Sequence, residues 1–199
     1  MSELRKVCDE NDTLLIFDEI QCGLGRSGKL WAHSHFKNAH PDILTMAKAL
    51  GNGFPIGATM ISEKVESALS VGDHGTTYGG NPLASKIASY VLETVSDAKF
   101  LLQVNAKGER FQKGLAKLAE KYSDYVIAPK GKGLLIGLQF KPAVDIGQIV
   151  AIARQHGLIV ITAGMNVVRI VPALNIPDEL IDEGLEILDK SIGLAVHAE

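Results

Sequence analysis

Residues 41–58 read Pro-Asp-Ile-Leu-Thr-Met-Ala-Lys-Ala-Leu-Gly-Asn-Gly-Phe-Pro-Ile-Gly-Ala, and the rest of the chain is organised around them. Lys48 is the only cation of this stretch, and its neighbours are mostly apolar or small. Burial among such residues lowers the pKa of a lysine, and the neutral amine that results can form a Schiff base with a carbonyl group. The alternative is an ordinary lysine at a strand end whose ammonium group extends into water. The rest of the chain decides between the two.

The composition argues against several classes of partner. The chain has 199 residues, of which 46% are hydrophobic, so it can bury the core of one or two domains. Its formal net charge is -3 without a cluster of Lys and Arg, which argues against nucleic acid or an anionic membrane as the partner. The apolar runs are too short to span a bilayer. The two cysteines, Cys8 and Cys22, form no disulfide framework.

An acidic pair follows the first apolar run of the chain. Residues 13–17 (Thr-Leu-Leu-Ile-Phe) are followed by Asp18 and Glu19. A continuous apolar run is typical of a parallel strand that is buried on both faces. Ligands of open α/β sheets bind at the carboxyl ends of such strands. We therefore expect Asp18 to lie at the carboxyl end of its strand, where ligands bind.

The glycines of residues 23–29 imitate two nucleotide-binding motifs. Gly23, Gly25 and Gly28 match the dinucleotide pattern G-x-G-x-x-G, and the segment through Lys29 nearly matches a P-loop. Leu30 follows the lysine where a P-loop needs Ser or Thr, and no helical pattern begins there. Both nucleotide interpretations are therefore disfavoured.

Three histidines close to this segment raise the possibility of a metal site. The spacing of His33, His35 and His40 matches no zinc pattern, and no cysteine lies near enough in sequence to complete one. We expect solvated loop histidines and no bound metal.

The remaining pattern predicts an α/β chain in two parts. A strand is expected at residues 56–61, a short helix from Ser62 or Glu63, and further helices from about Leu83 and over residues 106–122. Strand-like runs follow at residues 134–140, 158–162 and 167–171, with helices near residues 145–156 and from Pro177. The expected domains are residues 1–100 and 101–199.

Two further features suggest anion binding. Residues 72–82 combine glycines with Thr76 and Thr77, which makes either an anion cradle or an ordinary glycine-rich turn. Arg169 stands alone in the apolar run of residues 167–171 and needs a partner, because its charge cannot be removed. Either a ligand carboxylate, which the guanidinium binds in bidentate fashion, or an acid of the chain can supply that partner.

Together these features fit pyridoxal 5′-phosphate as a cofactor. Lys48 would hold the cofactor aldehyde, and Asp18 would keep the pyridine nitrogen protonated, so that the ring acts as an electron sink. The glycine and threonine loop would bind its phosphate, and Arg169 a substrate carboxylate.

Three segments, residues 15–28, 41–58 and 74–84, resemble the class III pyridoxal-phosphate aminotransferases. The resemblance extends over essentially the whole chain but reaches only the second half of the family's length. It implies part of the large cofactor-binding domain of a fold-type I aminotransferase, followed by the small C-terminal α/β domain. Within the class, residues 23–26, 132–137 and 161–164 resemble the acetylornithine branch, especially its fungal mitochondrial members.

The resemblance also assigns roles to residues. Lys48 and Asp18 correspond to the catalytic lysine and the acid at the pyridine nitrogen. Thr77 corresponds to a ligand of the phosphate bound in the neighbouring subunit, which implies a homodimer. The other implied residues contact cofactor (Glu19, Ile20 and Gln21) or substrate (Thr76 and Arg169).

The implied reaction moves an amino group between N2-acetylornithine and 2-oxoglutarate, with glutamate as the counterpart, in arginine biosynthesis. The implied location is the mitochondrial matrix, or the cytoplasm if the source is bacterial. Two alternatives stay open. The chain is a partner-dependent or non-catalytic fragment, or it is another class III enzyme, such as an ornithine or 4-aminobutyrate aminotransferase, a decarboxylase or an aminomutase.

Overall fold

A computed structural model describes residues 1–197 of the chain. These residues divide into two compact units, unit 1 (Met1–Leu101) and unit 2 (from Leu102 onwards). Each is described by itself below. Within residues 1–197, no helix is both long and apolar enough to cross a membrane.

Unit 1 is built on a three-stranded sheet in the order β1-β2-β3. The parallel strands β1 and β2 pair Asp18 with Thr45, and β3 runs antiparallel to β2. The elements are α1 (Ser2–Glu10), β1 (Ile16–Asp18), β2 (Ile43–Met46), β3 (Ala58–Ile61), α2 (Glu63–Glu66) and α3 (Pro82–Ser96), with 3-10 turns at Ala32–His35 and Lys48–Leu50. The predicted parallel strand before Asp18 and the predicted strand before Ser62 are both confirmed.

The predicted burial of β1 on both faces is wrong. Leu15 is buried, but Leu14 is 42% exposed and Ile16 is 56% exposed. Burial on both faces needs an element packed over each face of the sheet, and within residues 1–197 the side chain of Ile16 is left largely uncovered. The core of unit 1 forms instead where α3 contacts the turn that follows β2. Its buried residues include Leu44, Met46, Leu50, Ala84, Ala88, Val91 and Val95.

Unit 2 contains a four-stranded antiparallel sheet in the order β4-β5-β7-β6. Its elements are most of α4 (Ala98–Lys121), then β4 (Val126–Lys132), β5 (Leu135–Phe140), α5 (Ile146–Gln155), β6 (Ile161–Ala163), β7 (Val167–Ile170) and α6 (Asp178–Val196). One face of the sheet is buried, and its residues belong to the same core as residues of the helices (Leu138, Phe140, Val168, Ile149, Ile181, Leu188 and Ile192).

The sequence predicted every element of unit 2 except β4, although α4 begins at Ala98 and not at residue 106, and β6 lies at Ile161–Ala163 and not at residues 158–162. Pro129 and Gly131 within that strand look like a break, yet β4 is an edge strand, where a proline removes no ladder hydrogen bond. The last predicted helix begins as expected, with Asp178 and Glu179 in its first turn.

Candidate active site

Asp18 and Lys48 leave neighbouring parallel strands at the same edge of the unit 1 sheet. Asp18 is the last residue of β1, and Lys48 begins the turn three residues after Thr45, the β2 partner of Asp18. Oδ1 of Asp18 accepts a hydrogen bond of 2.9 Å from the backbone N–H of Ile20. Within residues 1–197, its Oδ2 has no hydrogen-bond partner. An oriented carboxylate with one oxygen available therefore lies at the edge where Lys48 emerges.

Lys48 is exposed, which agrees with the interpretation of a lysine at a strand end and not with a buried amine. The chain turns at this residue with φ of +41°, a left-handed conformation that non-glycine residues rarely adopt. The turn interrupts the alternation of β2, so Met46 and Leu50 occupy the buried positions on either side of it. The same turn needs Gly51, since a Cβ there would collide with the carbonyl oxygen of Phe54. The amine of Lys48 is thus accessible on a constrained backbone.

Glu19 lies next to Asp18, and the chain itself occupies its carboxylate. The residue is only 2% exposed. Oε2 accepts a 2.6 Å hydrogen bond from the N–H of Ala32, and Oε1 accepts one of 2.8 Å from the N–H of His33. Nδ1 of His33 shares a further hydrogen bond of 2.7 Å with Oε1. Both oxygens thus accept hydrogen bonds from the chain itself, and the expected contact of Glu19 with the cofactor stays a prediction.

The expectation of solvated histidines holds for His40 and fails for His33 and His35. The His33 side chain is 13% exposed and paired with Glu19, and Nε2 of His35 lies 3.1 Å from the carbonyl oxygen of Ser27. Residues 1–197 contain no group of His, Cys, Asp and Glu side chains arranged to hold a metal ion. The missed partner of His33 lies 14 positions away in a different element, and no local pattern signals such a pair.

Cys22 contacts the backbone of Asp18, which no sequence pattern indicated. Its Sγ donates a weak hydrogen bond of 3.7 Å to the backbone oxygen of Asp18. Burial and the carboxylate of Glu19 raise the pKa of the Cys22 thiol, so it is protonated at neutral pH. Ile20 and Gln21, the other two expected cofactor contacts, are half-buried in the turns between Asp18 and Cys22.

Thr76 and Thr77 lie in the exposed loop that precedes α3. Neither side chain forms a hydrogen bond with a residue that the structure describes. The loop ends at a well-formed helix start, where Oδ1 of Asn81 accepts a 2.9 Å hydrogen bond from the N–H of Ala84 and Pro82 occupies the first turn. The hydroxyl groups are therefore available for binding, but within residues 1–197 no hydrogen bond links them to Asp18 or Lys48.

In unit 2, Arg169 lines a cavity of about 200 Å³ on the open face of the sheet. Gly137 of β5 lies directly opposite it, and a Cβ at that glycine would come within 2.7 Å of the Val168 carbonyl oxygen. Nε of Arg169 is buried without a hydrogen-bond partner, and no described acid pairs with the guanidinium. The alternative of an ion pair within the chain is therefore absent from residues 1–197. An unpaired buried donor on a permanent cation favours a carboxylate ligand.

The family of the chain follows from comparison with known proteins. The model of the family "Aminotransferase class-III" matches residues 1–192, and the chain belongs to this family. The resemblance and the α/β fold class expected from the sequence are confirmed. Members of the family depend on pyridoxal 5′-phosphate.

The chain is similar in sequence to acetylornithine aminotransferases. The mitochondrial enzyme of Debaryomyces hansenii is 66% identical over 190 residues, which are 95% of this chain and 41% of the relative. The mitochondrial enzyme of Saccharomyces cerevisiae is 54% identical over 200 residues, which are 100% of this chain and 46% of the relative. The chain thus spans less than half the length of these two relatives.

Among solved structures, the chain is similar to the N-acetylornithine aminotransferase of Stenotrophomonas maltophilia. The TM-score is 0.86 at 36% sequence identity, and the match covers 98% of this chain and 51% of the other. Both the fold and the incomplete span thus agree with the sequence comparisons.

Proposed function

We propose that this chain carries the cofactor-binding lysine of a transaminase that exchanges an amino group between N2-acetylornithine and 2-oxoglutarate in arginine biosynthesis. The observation that carries the proposal is the shared sheet edge of Asp18 and Lys48, with an accessible amine and a carboxylate oriented by the N–H of Ile20. These are the groups that the aldehyde and the ring nitrogen of pyridoxal phosphate require. The identity of up to 66% with acetylornithine aminotransferases supports the choice of substrate.

The bound cofactor supplies an electron sink for the electrons left at the substrate carbon when its proton is removed. Lys48 would hold the cofactor aldehyde through Nζ until the amino group of the substrate displaces it, and the released amine would then take and return that proton. Asp18 would bind the ring N–H through its available oxygen. A charge-assisted bond of this kind keeps the nitrogen protonated.

The remaining contacts divide by the chemistry of their side chains. Ile20 offers an apolar surface to the ring face, and Gln21 a polar contact to its hydroxyl group. Thr77 binds the cofactor phosphate of a second subunit in a homodimer, and Thr76 lies on the substrate side. Arg169 binds the substrate α-carboxylate, which supplies the partner that its Nε lacks. The mitochondrial names of the relatives support a place in the mitochondrial matrix.

A second proposal concerns dependence on a partner. The chain spans less than half of its relatives, and unit 1 exposes apolar residues of β1 and β3. We therefore propose that activity needs a polypeptide equivalent to the rest of the relatives. The proposal is tested by comparing the chain with and without that polypeptide.

The test is the absorbance spectrum of the chain after addition of pyridoxal phosphate, alone and mixed with the complementary half of a relative. Lys48→Ala is the test variant, and Lys37→Ala controls for reaction of the aldehyde with any exposed lysine. We expect a visible band that persists in Lys37→Ala, disappears in Lys48→Ala and is bleached by N2-acetylornithine. A band of equal strength in Lys48→Ala would contradict the proposed function. So would the absence of a band both from the chain alone and from its mixture with the complementary half.

A further inference from the structure

The buried carboxylate of Glu19 joins two segments that are distant in sequence. On one side it is the residue after Asp18, and its own N–H donates a 3.0 Å hydrogen bond to the Thr45 oxygen, which extends the β1–β2 pairing by one residue. On the other side its two oxygens bind the backbone at Ala32 and His33. Glu19 thereby fastens the loop of residues 20–33 to the end of β1.

The packing around Glu19 shows that this connection is closely fitted. The N–H of Gly23 donates a 3.0 Å hydrogen bond to the Glu19 backbone oxygen, and a Cβ on Gly23 would lie 2.9 Å from Oε2. The His33 ring lies 5.6 Å, between centroids, from the ring of Phe17, the residue before Asp18. His33 therefore contacts residues on both sides of Asp18.

We propose that Glu19 is a positioning residue for the cofactor site, acting through the loop that it fastens. This inference rests on the proposed function. The neighbours of Glu19 in sequence are Asp18, Ile20 and Gln21. The backbone of this segment is bonded to β2, and the Glu19 carboxylate bonds it to Ala32 and His33. In this proposal the carboxylate acts through the backbone that it binds and not by direct contact with the cofactor. Its effect is to fix the direction in which the oxygen of Asp18 and the side chain of Gln21 point.

The test variant is Glu19→Gln, which keeps the shape of the side chain and removes its charge. Its single oxygen can serve only one of the two N–H groups, and its NH₂ group faces the other as a second donor. Glu66→Gln, at an exposed glutamate of α2, is the matched control. His33→Ala removes the side-chain partner, whereas His33→Asn can restore a donor close to the position of Nδ1.

Trp31 provides a readout that is independent of the cofactor. It is the only tryptophan of the sequence and lies beside Ala32 in the fastened loop. We expect its fluorescence emission to shift to longer wavelength in Glu19→Gln and His33→Ala, since the released loop exposes the indole to water. We expect no shift in Glu66→Gln and a smaller one in His33→Asn.

The second readout is the dissociation constant of pyridoxal phosphate, titrated on the full chain with whichever complementary half the Lys48 experiment requires. We expect it to rise about 10- to 100-fold in Glu19→Gln, by analogy with metal sites, where loss of a group that orients a metal ligand weakens binding by that factor. His33→Asn should restore most of the loss seen in His33→Ala.

The outcomes separate the inference from the proposed function. Wild-type affinity and spectrum in Glu19→Gln, with or without the Trp31 shift, would overturn the positioning role and leave the function intact. No Lys48-dependent binding in the wild type would overturn both. Two results together would support the inference. Glu19→Gln would show weakened cofactor binding with the Trp31 shift, and His33→Asn would restore most of the binding that is lost in His33→Ala.

Discussion

The two units use apolar residues differently. In unit 2, one face of β5 and β7 is buried and belongs to a continuous core, and side chains of the other face such as Gln139 and Arg169 are partly exposed. In unit 1, all of β3 is exposed, and apolar side chains such as Ile16 and Met60 are more than half exposed. The apolar residues of unit 1 thus exceed what its own elements cover. The residues proposed to bind the cofactor belong to the unit with the less complete core.

The largest expected effect tests this contrast directly. Leu138 on β5 is fully buried, and Leu138→Ala should lower the free energy of unfolding of unit 2 by about 2–5 kcal/mol through lost burial and a cavity. The equivalent truncation in unit 1, Ile16→Ala, should change stability by at most about 0.5 kcal/mol, because that side chain is largely exposed. Native-state hydrogen exchange, resolved by residue, measures the two units separately.

An equal loss in the two variants would break the comparison. It would mean that another molecule, such as a second copy of the chain, covers β1 in solution. Repeating the measurement over a range of protein concentrations identifies that case, because stability gained by association depends on concentration.

A smaller effect is expected at a polar contact of unit 2. Tyr122 is buried, and its hydroxyl donates a 2.7 Å hydrogen bond to Oδ1 of Asp189, which also pairs with Lys121. Burial and the Asp189 carboxylate raise the pKa of Tyr122, so the hydroxyl stays protonated as a donor at neutral pH. Tyr122→Phe should therefore reduce stability by about 1–2 kcal/mol, less than a fully buried charged hydrogen bond because Asp189 is partly exposed.

Tyr125→Phe is the control for this variant. The Tyr125 hydroxyl forms no hydrogen bond with residues 1–197, and the ring contact with His197 is retained. Thermal unfolding of both variants should show a lower midpoint for Tyr122→Phe alone. Equal midpoints would mean that the bond to Asp189 adds nothing to the stability of unit 2.

Much of the fold could be predicted from the sequence because periodicity and caps are local signals. The parallel strand before Asp18 and the helix starts at Asn81 and Pro177 depend on residues within a few positions of each other. Strand β4 could not be predicted in this way. Its Pro129 is tolerated only because the strand lies at an edge of the sheet, and that position is a property of the assembled fold.

The candidate site likewise combines features that local sequence patterns reveal with features that depend on the assembled fold. The sequence predicted a strand before Asp18, whereas the strand that precedes Lys48 was part of only one of two interpretations of that lysine. The sheet brings the two strands together as parallel neighbours. The sequence could not decide between a buried and an exposed Lys48, since the apolar residues around it do not reveal that the backbone turns to positive φ at that residue. Nor does any local pattern reveal that Glu19 pairs with His33.

The smallest expected effect concerns a carboxylate in unit 1. Oδ2 of Asp42 accepts hydrogen bonds from the Leu15 N–H at 2.8 Å and from Arg5 of α1 at 2.7 Å. The Leu15 N–H and the Arg5 guanidinium lower the pKa of Asp42. Because the folded-state pKa lies below the unfolded value of about 3.9, the stabilisation is complete above that value and is lost as the pH falls through the folded-state pKa.

Acidification should therefore release Leu15 and α1 before it affects the core of unit 2. The measurement is the exchange protection of the Leu15 amide as the pH is lowered, after correction for the intrinsic pH dependence of exchange. Asp42→Asn should show reduced protection at neutral pH and little further loss in acid. Asp9→Asn removes the other carboxylate that pairs with Arg5 but does not contact Leu15, so it should keep the acid transition of the wild type. A transition that is lost in Asp9→Asn instead would assign the pH dependence to the exposed ion pair on α1.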